Sequence, residues 1–230
     1  MKGMSRREMI GGLAVGGAIL LAPGATVRAD EDNMGQALHK PKKFKNEDFY
    51  DKTGKFNVEA AKEAYYKMMR WFDYPIPERL RTPDFWTLDF GLGIFMEVGM
   101  AGIFWMNNKE HNYLGHDIWL LPGQMIPEHW HEKTEDAGPK LEGWLVRHGS
   151  AYLYGEGTPT AGVETRISPS HRDIAVARTE LFLKPGEIKM LGKALEKHSM
   201  RAGPEGAIVT EFATFHDMKG LRFTHPKVKL

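Results

Sequence analysis

The distribution of apolar residues changes near residue 85 and divides the chain into a helical part and a strand-rich part. Between Asn57 and Phe72, apolar side chains recur every three or four residues, which is typical of an amphipathic helix with Asn57 as its cap. Beyond residue 85, short aromatic and β-branched runs are divided by glycines, which predicts strands. The clearest predicted strands cover 126–131, 142–155, 177–183, 187–191 and 207–215. One helix followed by many short strands predicts an all-β antiparallel sandwich or barrel.

Three earlier runs, 85–95, 99–106 and 116–123, also predict strands, with turns near Gly91, Asn107 and Gly115. The polar interval 156–174 is rich in turn-forming residues and predicts a long loop or rim. The chain has no internal repeat, which favours one barrel over two.

The first 29 residues predict an export signal. Arg6 and Arg7 precede the uncharged apolar run 9–22, which is too short to span a bilayer, and Val27 and Ala29 suit a cleavage site. The paired arginines resemble a twin-arginine signal, so we expect periplasmic export and no stable membrane span after cleavage. An ordinary secretory signal or an uncleaved anchor is the alternative. The predicted organisation is therefore a signal at 1–29, a polar arm and helix at 30–84, and a barrel at 85–230.

Composition narrows the possible chemistry. The chain is 42% hydrophobic and 27% charged, as expected of a globular protein, and its net charge of +1 gives no support for a nucleic-acid partner. There are no cysteines, which excludes disulfides, thiolate metal sites and cysteine nucleophiles.

The strongest chemical signal is the pair His129 and His131, separated by one residue on a predicted strand. Side chains at i and i+2 point to the same face roughly 7 Å apart, so both imidazoles can bind one ion. Glu142, at the start of the next predicted strand, supplies an oxygen ligand, with Glu135 and Asp136 in the intervening loop as rivals. Imidazole with carboxylate suits Mn, Fe, Zn, Ni or Co better than Ca or Mg.

A further ligand and a proton-transfer group remain to be found. The candidate ligands are His198, which follows a turn-rich stretch and precedes Gly203 and Gly206, and His148, His171 and His216; His148 is also a candidate group near the substrate. Alternation along 207–215 places Glu211 among apolar residues on one face. Burial there would raise its pKa and suit it to proton transfer; the alternative is an outward Glu211 beside a cationic side chain.

Several of these motifs resemble a known family. The segment from Gly123 to Gly149 resembles the first cupin motif with a longer gap. It consists of glycine, five residues, HxH, the gap, glutamate, six residues and glycine. Eight segments between Trp86 and Pro226 resemble the D-lyxose isomerase family of cupins. They are WTLDFGLGIF, LLPGQMIPEHWH, LEGWLVRHG, YGEG, LKPG, HSMRAG, EFATFHD and FTHP.

The resemblance implies a cupin jelly-roll β-barrel that binds manganese, with Fe²⁺, Co²⁺ or Zn²⁺ as other metals, and a homodimer. It assigns the metal to His129, His131, Glu142 and His198, and an acid/base role to Glu211. A lysine after HxH also acts in this family, and Lys133 is the nearest match.

The functional hypothesis is a metal-dependent sugar isomerase, a ketol-isomerase that interconverts an aldose and a ketose such as D-lyxose and D-xylulose through an enediol. Its metal would bind the C1 and C2 oxygens, while Glu211 moves a proton between those carbons with help from Lys133. A non-catalytic exported cupin that binds metal or sugar is the second hypothesis, and an iron-dependent cupin oxygenase is the third.

Overall fold

The computed structural model describes residues 43–230, so the predicted export signal and the first part of the polar arm, up to residue 42, lie outside the described residues. The described part contains one α-helix, α1 (Val58–Trp71), and nine strands. The strands are β1 (Trp86–Leu88), β2 (Met100–Asn108), β3 (Tyr113–Leu120), β4 (Met125–His131), β5 (Glu142–Gly155), β6 (Thr179–Leu183), β7 (Ile188–Met190), β8 (His198–Ala213) and β9 (Leu221–Phe223). Short 3-10 helices cover Asn46–Phe49, Glu78–Arg81, Val163–Thr165 and Met218–Gly220.

The predicted helix is confirmed, and its cap is the predicted one. The Asn57 side chain accepts a hydrogen bond from the Ala60 amide at 3.1 Å, which satisfies one of the free donors of the first turn. Tyr65 and Met69 on the buried face of α1 belong to one hydrophobic cluster with Trp119 of β3. The helix therefore covers part of the outer face of the sheet.

The nine strands form one antiparallel sheet that curls into the expected cupin barrel. The strand order is β1-β2-β3-β8-β4-β9, and β5 pairs with β6, β7 and β8. At 16 residues β8 is the longest strand, and it pairs with β3, β4 and β5. A second hydrophobic cluster, which includes Val146, Met200 and Val209, fills the interior of the barrel.

Two glycines lie where the pairing of β5 with β8 shifts register, between Gly149 and Ala151. Gly149 and Gly206 have φ angles of +70° and +86°, which residues with a Cβ rarely adopt. A Cβ on Gly149 would also lie 2.0 Å from the Gly206 carbonyl oxygen. The glycine that ends the cupin motif is therefore required by the bend of β5 against β8.

Several predicted boundaries differ from the observed ones. Gly115 lies inside β3 rather than at a turn, because the turn falls at 109–112. The last long strand was predicted at 207–215, but β8 begins at His198. None of residues 203–206 has a cross-strand partner, so Pro204 removes no ladder hydrogen bond and the strand tolerates it.

The segment before the helix is more ordered than its polar composition predicts. Phe49 is buried and its ring centroid lies 4.7 Å from that of Phe95. The Tyr50 hydroxyl donates to Asp89 at 3.0 Å. These contacts attach the segment to the barrel. Within residues 43–230, no helix is both long enough and apolar enough to cross a membrane.

Candidate metal centre

The two histidines of the HxH motif lie on β4 with their rings on the same side of the sheet. The ring centroids of His129 and His131 are 5.2 Å apart. Trp130 between them points the other way, where the Lys197 ammonium lies 4.7 Å from its ring centroid. The alternation expected of a strand therefore places both imidazoles inside the barrel.

Two further predicted ligands come from the first residues of other strands. His198 opens β8 and is the cross-strand partner of His129, with ring centroids 4.2 Å apart. Glu142 opens β5 and is almost fully buried. One ligand atom from each of the four side chains lies within 4.8 Å of every other. The structure thus brings together the four residues that the sequence proposed, although metal ligation by them stays a prediction.

Backbone carbonyls orient two of the imidazoles. His129 Nδ1 lies 2.9 Å from the Pro127 carbonyl oxygen, and His198 Nδ1 lies 2.8 Å from that of Glu196. Because a carbonyl only accepts, each Nδ1 carries the proton and leaves Nε2 as the free lone pair. This is the usual arrangement for a histidine that binds a metal.

The inward-facing atoms also fit a divalent cation. His131 Nε2 and His198 Nε2 lie 3.2 and 3.1 Å from Glu142 Oε1, yet these three buried atoms make no hydrogen bond of acceptable geometry. Buried polar atoms without partners are rare, because each one costs free energy. Three nitrogen donors and one carboxylate oxygen suit Mn²⁺, Fe²⁺, Co²⁺ or Zn²⁺.

The charge state of the cluster favours ligation. Burial, with His198 and His131 nearby, holds the pKa of His129 well below its usual range, so this imidazole is neutral. Burial alone would raise the pKa of Glu142, but the Lys140 ammonium and His198 outweigh it and hold the pKa well below the usual value. A neutral imidazole and an ionised carboxylate are the forms that bind metals.

Lys140 is the lysine of this site, and the sequence analysis missed it. Its Nζ donates to Glu142 Oε2 at 2.6 Å and also to Glu211 Oε1, and the side chain is buried. Burial alone would lower its pKa, but the two carboxylates together raise it. Lys133, the predicted lysine, is exposed on the loop instead, because the ten residues between His131 and Glu142 turn it away from the barrel.

Glu211 points into the barrel, as predicted, but its charge state differs from the expectation. It is 4% exposed, and its Oε2 lies 3.2 Å from His116 Nδ1 on the paired strand β3. Burial alone would raise its pKa, as expected from the sequence, but Lys140 outweighs burial and the pKa is lowered. The expectation was wrong because it lacked the buried lysine.

The rival acidic ligands lie outside the cluster. Asp136 is exposed and pairs with Lys109 at 2.7 Å, and Glu135 is also exposed. The structure thus favours Glu142 among the three acidic residues left open by the sequence.

The three rival histidines also lie outside the ligand cluster. A β-bulge between Val146 and His148 reverses the alternation of β5, so His148 packs 5.7 Å from Tyr74 on the helix side, which excludes the predicted role near the substrate. His171 lies in the loop before β6, beside His225 at 5.1 Å. His216 lies next to the cluster, 5.3 Å from His131, and burial with nearby Lys140 lowers its pKa to about 3.

A cavity of about 360 Å³ opens onto the cluster, within the usual size range of small-molecule sites. Lys140, Glu211, His116 and His216 line it together with His129 and His131. A small substrate in the cavity would therefore meet the metal ligands and the buried acid/base groups at once.

No protein-family model matches the chain. A D-lyxose/D-mannose isomerase from Thermosediminibacter oceani is 31% identical over 176 residues, which cover 76% of this chain and 94% of that protein. The chain belongs to the D-lyxose isomerase family. A D-lyxose ketol-isomerase from Cohnella laeviribosi is 34% identical over 141 residues, covering 61% of this chain and 76% of that one.

Solved structures agree with the fold of this D-lyxose isomerase family member. The L-ribose isomerase of Cellulomonas parahominis has a TM-score of 0.60 at 12% identity and covers 79% of this chain and 95% of that chain. The L-ribose isomerase of Acinetobacter sp. DL28, in complex with L-ribose, has a TM-score of 0.58 at 15% identity, covering 74% and 92%. The predicted single cupin barrel and the predicted family are both confirmed.

Two signals could have identified the missed residues of this D-lyxose isomerase family member. Lys140 lies two residues before Glu142, so in extended chain the two share a face. His116 alternates with Ile118 and Leu120 on an apolar face. Its pairing with Glu211 depends on the register of β3 and β8, which the sequence does not reveal.

Proposed function

We propose that this protein is a metal-dependent aldose–ketose isomerase that acts on free aldoses. The first candidate substrates are D-lyxose and D-mannose, the two sugars in the name of its relative from Thermosediminibacter oceani. The observation that carries the proposal is Lys140, held between the predicted ligand Glu142 and the predicted base Glu211 beside one cavity. A centre that only bound metal would not require a buried cation and a second buried carboxylate next to the ligands.

We infer that the four-residue cluster holds manganese, because its donor set fits that ion and the family resemblance implies it. Fe²⁺, Co²⁺ and Zn²⁺ suit the same donors, and supply in the cell decides between them. A divalent cation held there supplies Lewis acidity, which polarises the sugar carbonyl and stabilises negative charge on the neighbouring oxygens.

Glu211 is the proton carrier in this proposal. Its ionised carboxylate removes the proton from C2 of the open-chain aldose to give an enediolate. The hydroxyl proton then passes from O2 to O1, and the same carboxyl group returns its proton to C1 to give the ketose. His116 holds one oxygen and Lys140 the other, so the carboxylate has a fixed position. A positioned general base of this kind accelerates proton transfer by roughly 10²–10⁴-fold.

Lys140 has a different task. Its ammonium group donates hydrogen bonds and places a positive charge next to the carbons that react. We infer that it stabilises the negative charge that develops on the sugar oxygens as the C2 proton leaves. Because Glu142 and Glu211 keep the lysine protonated, this donor is available at neutral pH.

The test is conversion of sugar by metal-loaded protein. Purified protein is incubated with D-lyxose, D-mannose or L-ribose, and the corresponding ketose is quantified by chromatography. We expect ketose formation that a chelator abolishes and manganese restores. Tight sugar binding without any conversion would favour the non-catalytic hypothesis instead, and oxygen consumption that requires Fe(II) would favour the oxygenase.

We also propose, on the sequence alone, that the chain is exported to the periplasm through the twin-arginine route and that it forms a homodimer. Substituting Arg6 and Arg7 together by lysine should retain the protein in the cytoplasm. Fractionation of cells that express both forms, and the mass of the purified protein in solution, test the two proposals separately.

A further inference from the structure

The cavity of the candidate metal centre is polar at one end only. Across the sheet, His116 and Glu211 are register partners, with Phe104 and Trp144 on either side of them. The next cross-strand row is apolar throughout. It runs Trp86, Gly102, Ile118, Val209 and Val146, and of these Trp86 and Ile118 line the cavity.

The remainder of the cavity wall continues this apolar character. It includes Leu88, Met100, Ile126 and Phe223, from four different strands. Met100 and Ile126 are 6% and 7% exposed, so this part of the wall is shielded from bulk water.

Few polar groups remain for the hydroxyls of a substrate beyond its reacting carbons. Lys140 and Glu211 bind each other, and the His116 ring lies between Trp86 and Phe104 with Nε2 close to Gly102. Three nitrogens of the lining histidines are buried without a hydrogen-bond partner in the described structure: His116 Nε2, His131 Nε2 and His216 Nδ1. His131 Nε2 is a predicted ligand atom and His116 Nε2 lies against Gly102, which leaves His216 Nδ1 for one hydroxyl.

Beyond its reacting carbons, an open-chain aldohexose carries hydroxyls at C3, C4, C5 and C6, which are more polar groups than this wall can satisfy. A hydroxyl buried without a partner loses its bonds to water and gains none in return. A methyl group in the same place gains contact with the apolar side chains.

From this we propose that the preferred substrates are aldoses whose terminal carbon is a methyl group, that is, 6-deoxyaldohexoses. This inference rests on the proposed isomerase function and adds a substrate class to it. The C1–C2 end lies at Lys140 and Glu211, and the terminal methyl packs against Met100 and Ile118. His216 Nδ1 forms a hydrogen bond with one of the hydroxyls between these two ends.

The experiment compares D-mannose with 6-deoxy-D-mannose, using the manganese-loaded protein. Both sugars close the same six-membered ring through the C5 oxygen, so the supply of open-chain aldose is similar. We expect kcat/KM to be roughly 10–100-fold higher for the 6-deoxy sugar, the usual discrimination of an apolar pocket against one extra hydroxyl. Equal values, or a higher value for D-mannose, would overturn the inference and would place the sugar tail in water.

A matched pair of variants tests whether the apolar wall causes the preference. Glutamine has nearly the shape of methionine and adds an amide, so Met100→Gln should reduce the preference for the 6-deoxy sugar at least severalfold. Met100→Leu remains apolar and should keep it. Thermal unfolding and metal content of each variant show whether it is folded and loaded. An unchanged preference in a folded Met100→Gln protein would contradict the placement of the sugar tail.

The same assays distinguish an error in the proposed substrate class from an error in the proposed isomerase function. If D-lyxose is converted and neither hexose nor 6-deoxyhexose is, the protein is an isomerase and the substrate-class inference is wrong. If no aldose is converted by protein that contains stoichiometric metal, the isomerase proposal itself is wrong.

Discussion

Glu128 and Glu211 are two buried glutamates of the same barrel, and their partners differ in kind. Glu128, on β4 next to His129, is 0% exposed. Its carboxylate accepts hydrogen bonds from the Val176 and Ala177 amides at 2.8 and 2.6 Å and from the Thr224 hydroxyl. All three donors are neutral, so this carboxylate connects the loop before β6 to the segment after β9.

Glu211 is held by Lys140 and His116, two side chains that can themselves change their protonation state. It also lines the cavity, whereas Glu128 is not among the lining residues. Burial alone therefore does not identify a reactive carboxylate. A carboxylate held by titratable partners at a cavity can exchange protons with a substrate, and one held only by neutral donors stabilises the fold.

The sharpest form of this contrast is the Glu211→Gln variant. An amide keeps the shape and most hydrogen bonds but cannot remove a proton, so kcat should fall by roughly 10²–10⁴-fold. Metal content, measured by elemental analysis, should stay the same because Glu211 is not a predicted ligand. Turnover at the wild-type rate would assign proton transfer to another group.

A second comparison separates the two lysines near the HxH motif. Lys140→Met removes the buried cation between Glu142 and Glu211, and we expect kcat to fall by roughly 10²-fold or more. Lys133→Met changes an exposed side chain and should leave steady-state rates unaltered. If Lys133→Met lowers kcat as much as Lys140→Met does, the catalytic role belongs to Lys133, as the sequence suggested.

The structural role of the other carboxylate is tested with Glu128→Gln. The glutamine oxygen can still accept from the Val176 and Ala177 amides, but without the charge those bonds weaken, and the amide nitrogen now faces the Thr224 hydroxyl, which must turn to accept. The free energy of unfolding should therefore fall by about 1–3 kcal/mol. Urea denaturation measures this loss, and kcat of the folded protein should change little. A large drop in kcat without a loss of stability would mean that Glu128 takes part in the chemistry.

The smallest expected effect is a loss of stability at acidic pH, and it arises from His171 in the loop before β6 that Glu128 anchors. Burial, together with nearby His225, lowers the pKa of His171 to about 4, below its value near 6.5 in unfolded chain. A depressed histidine pKa gives stability that is present above pH 6.5 and is lost as pH falls toward 4, because the unfolded chain takes up the proton first.

His171→Phe removes this titration while keeping a buried ring. Its melting temperature should therefore fall less between pH 7 and pH 4.5 than that of the wild type. Parallel curves for the two proteins would show that His171 makes no contribution to acid sensitivity.

Much of the fold could be predicted because its signals are local. The Asn57 cap, the helical spacing after it and the alternation in β5 each depend on a few neighbouring residues. His129 and His131 share a face for the same reason. Local rules also placed Glu211 on the inner face of β8, as observed.

What could not be predicted depends on features that join distant segments. The bulge before His148 moves that residue to the outside, and no local pattern marks it. The path of the loop from His131 to Glu142 decides that Lys140 enters the site and Lys133 does not. The pKa of Glu211 then follows from Lys140, so one missed residue produced an error in the expected charge.

The long strand β8 carries a predicted metal ligand at its first residue, His198, and the predicted base Glu211 near its last. It is paired with β5 over most of its length and with β3 and β4 on its other edge. Both ends of the site are therefore held by pairing with the same strand, β5, so releasing either end breaks part of the pairing that joins them. Loss of activity in denaturant should coincide with cooperative unfolding of the whole barrel.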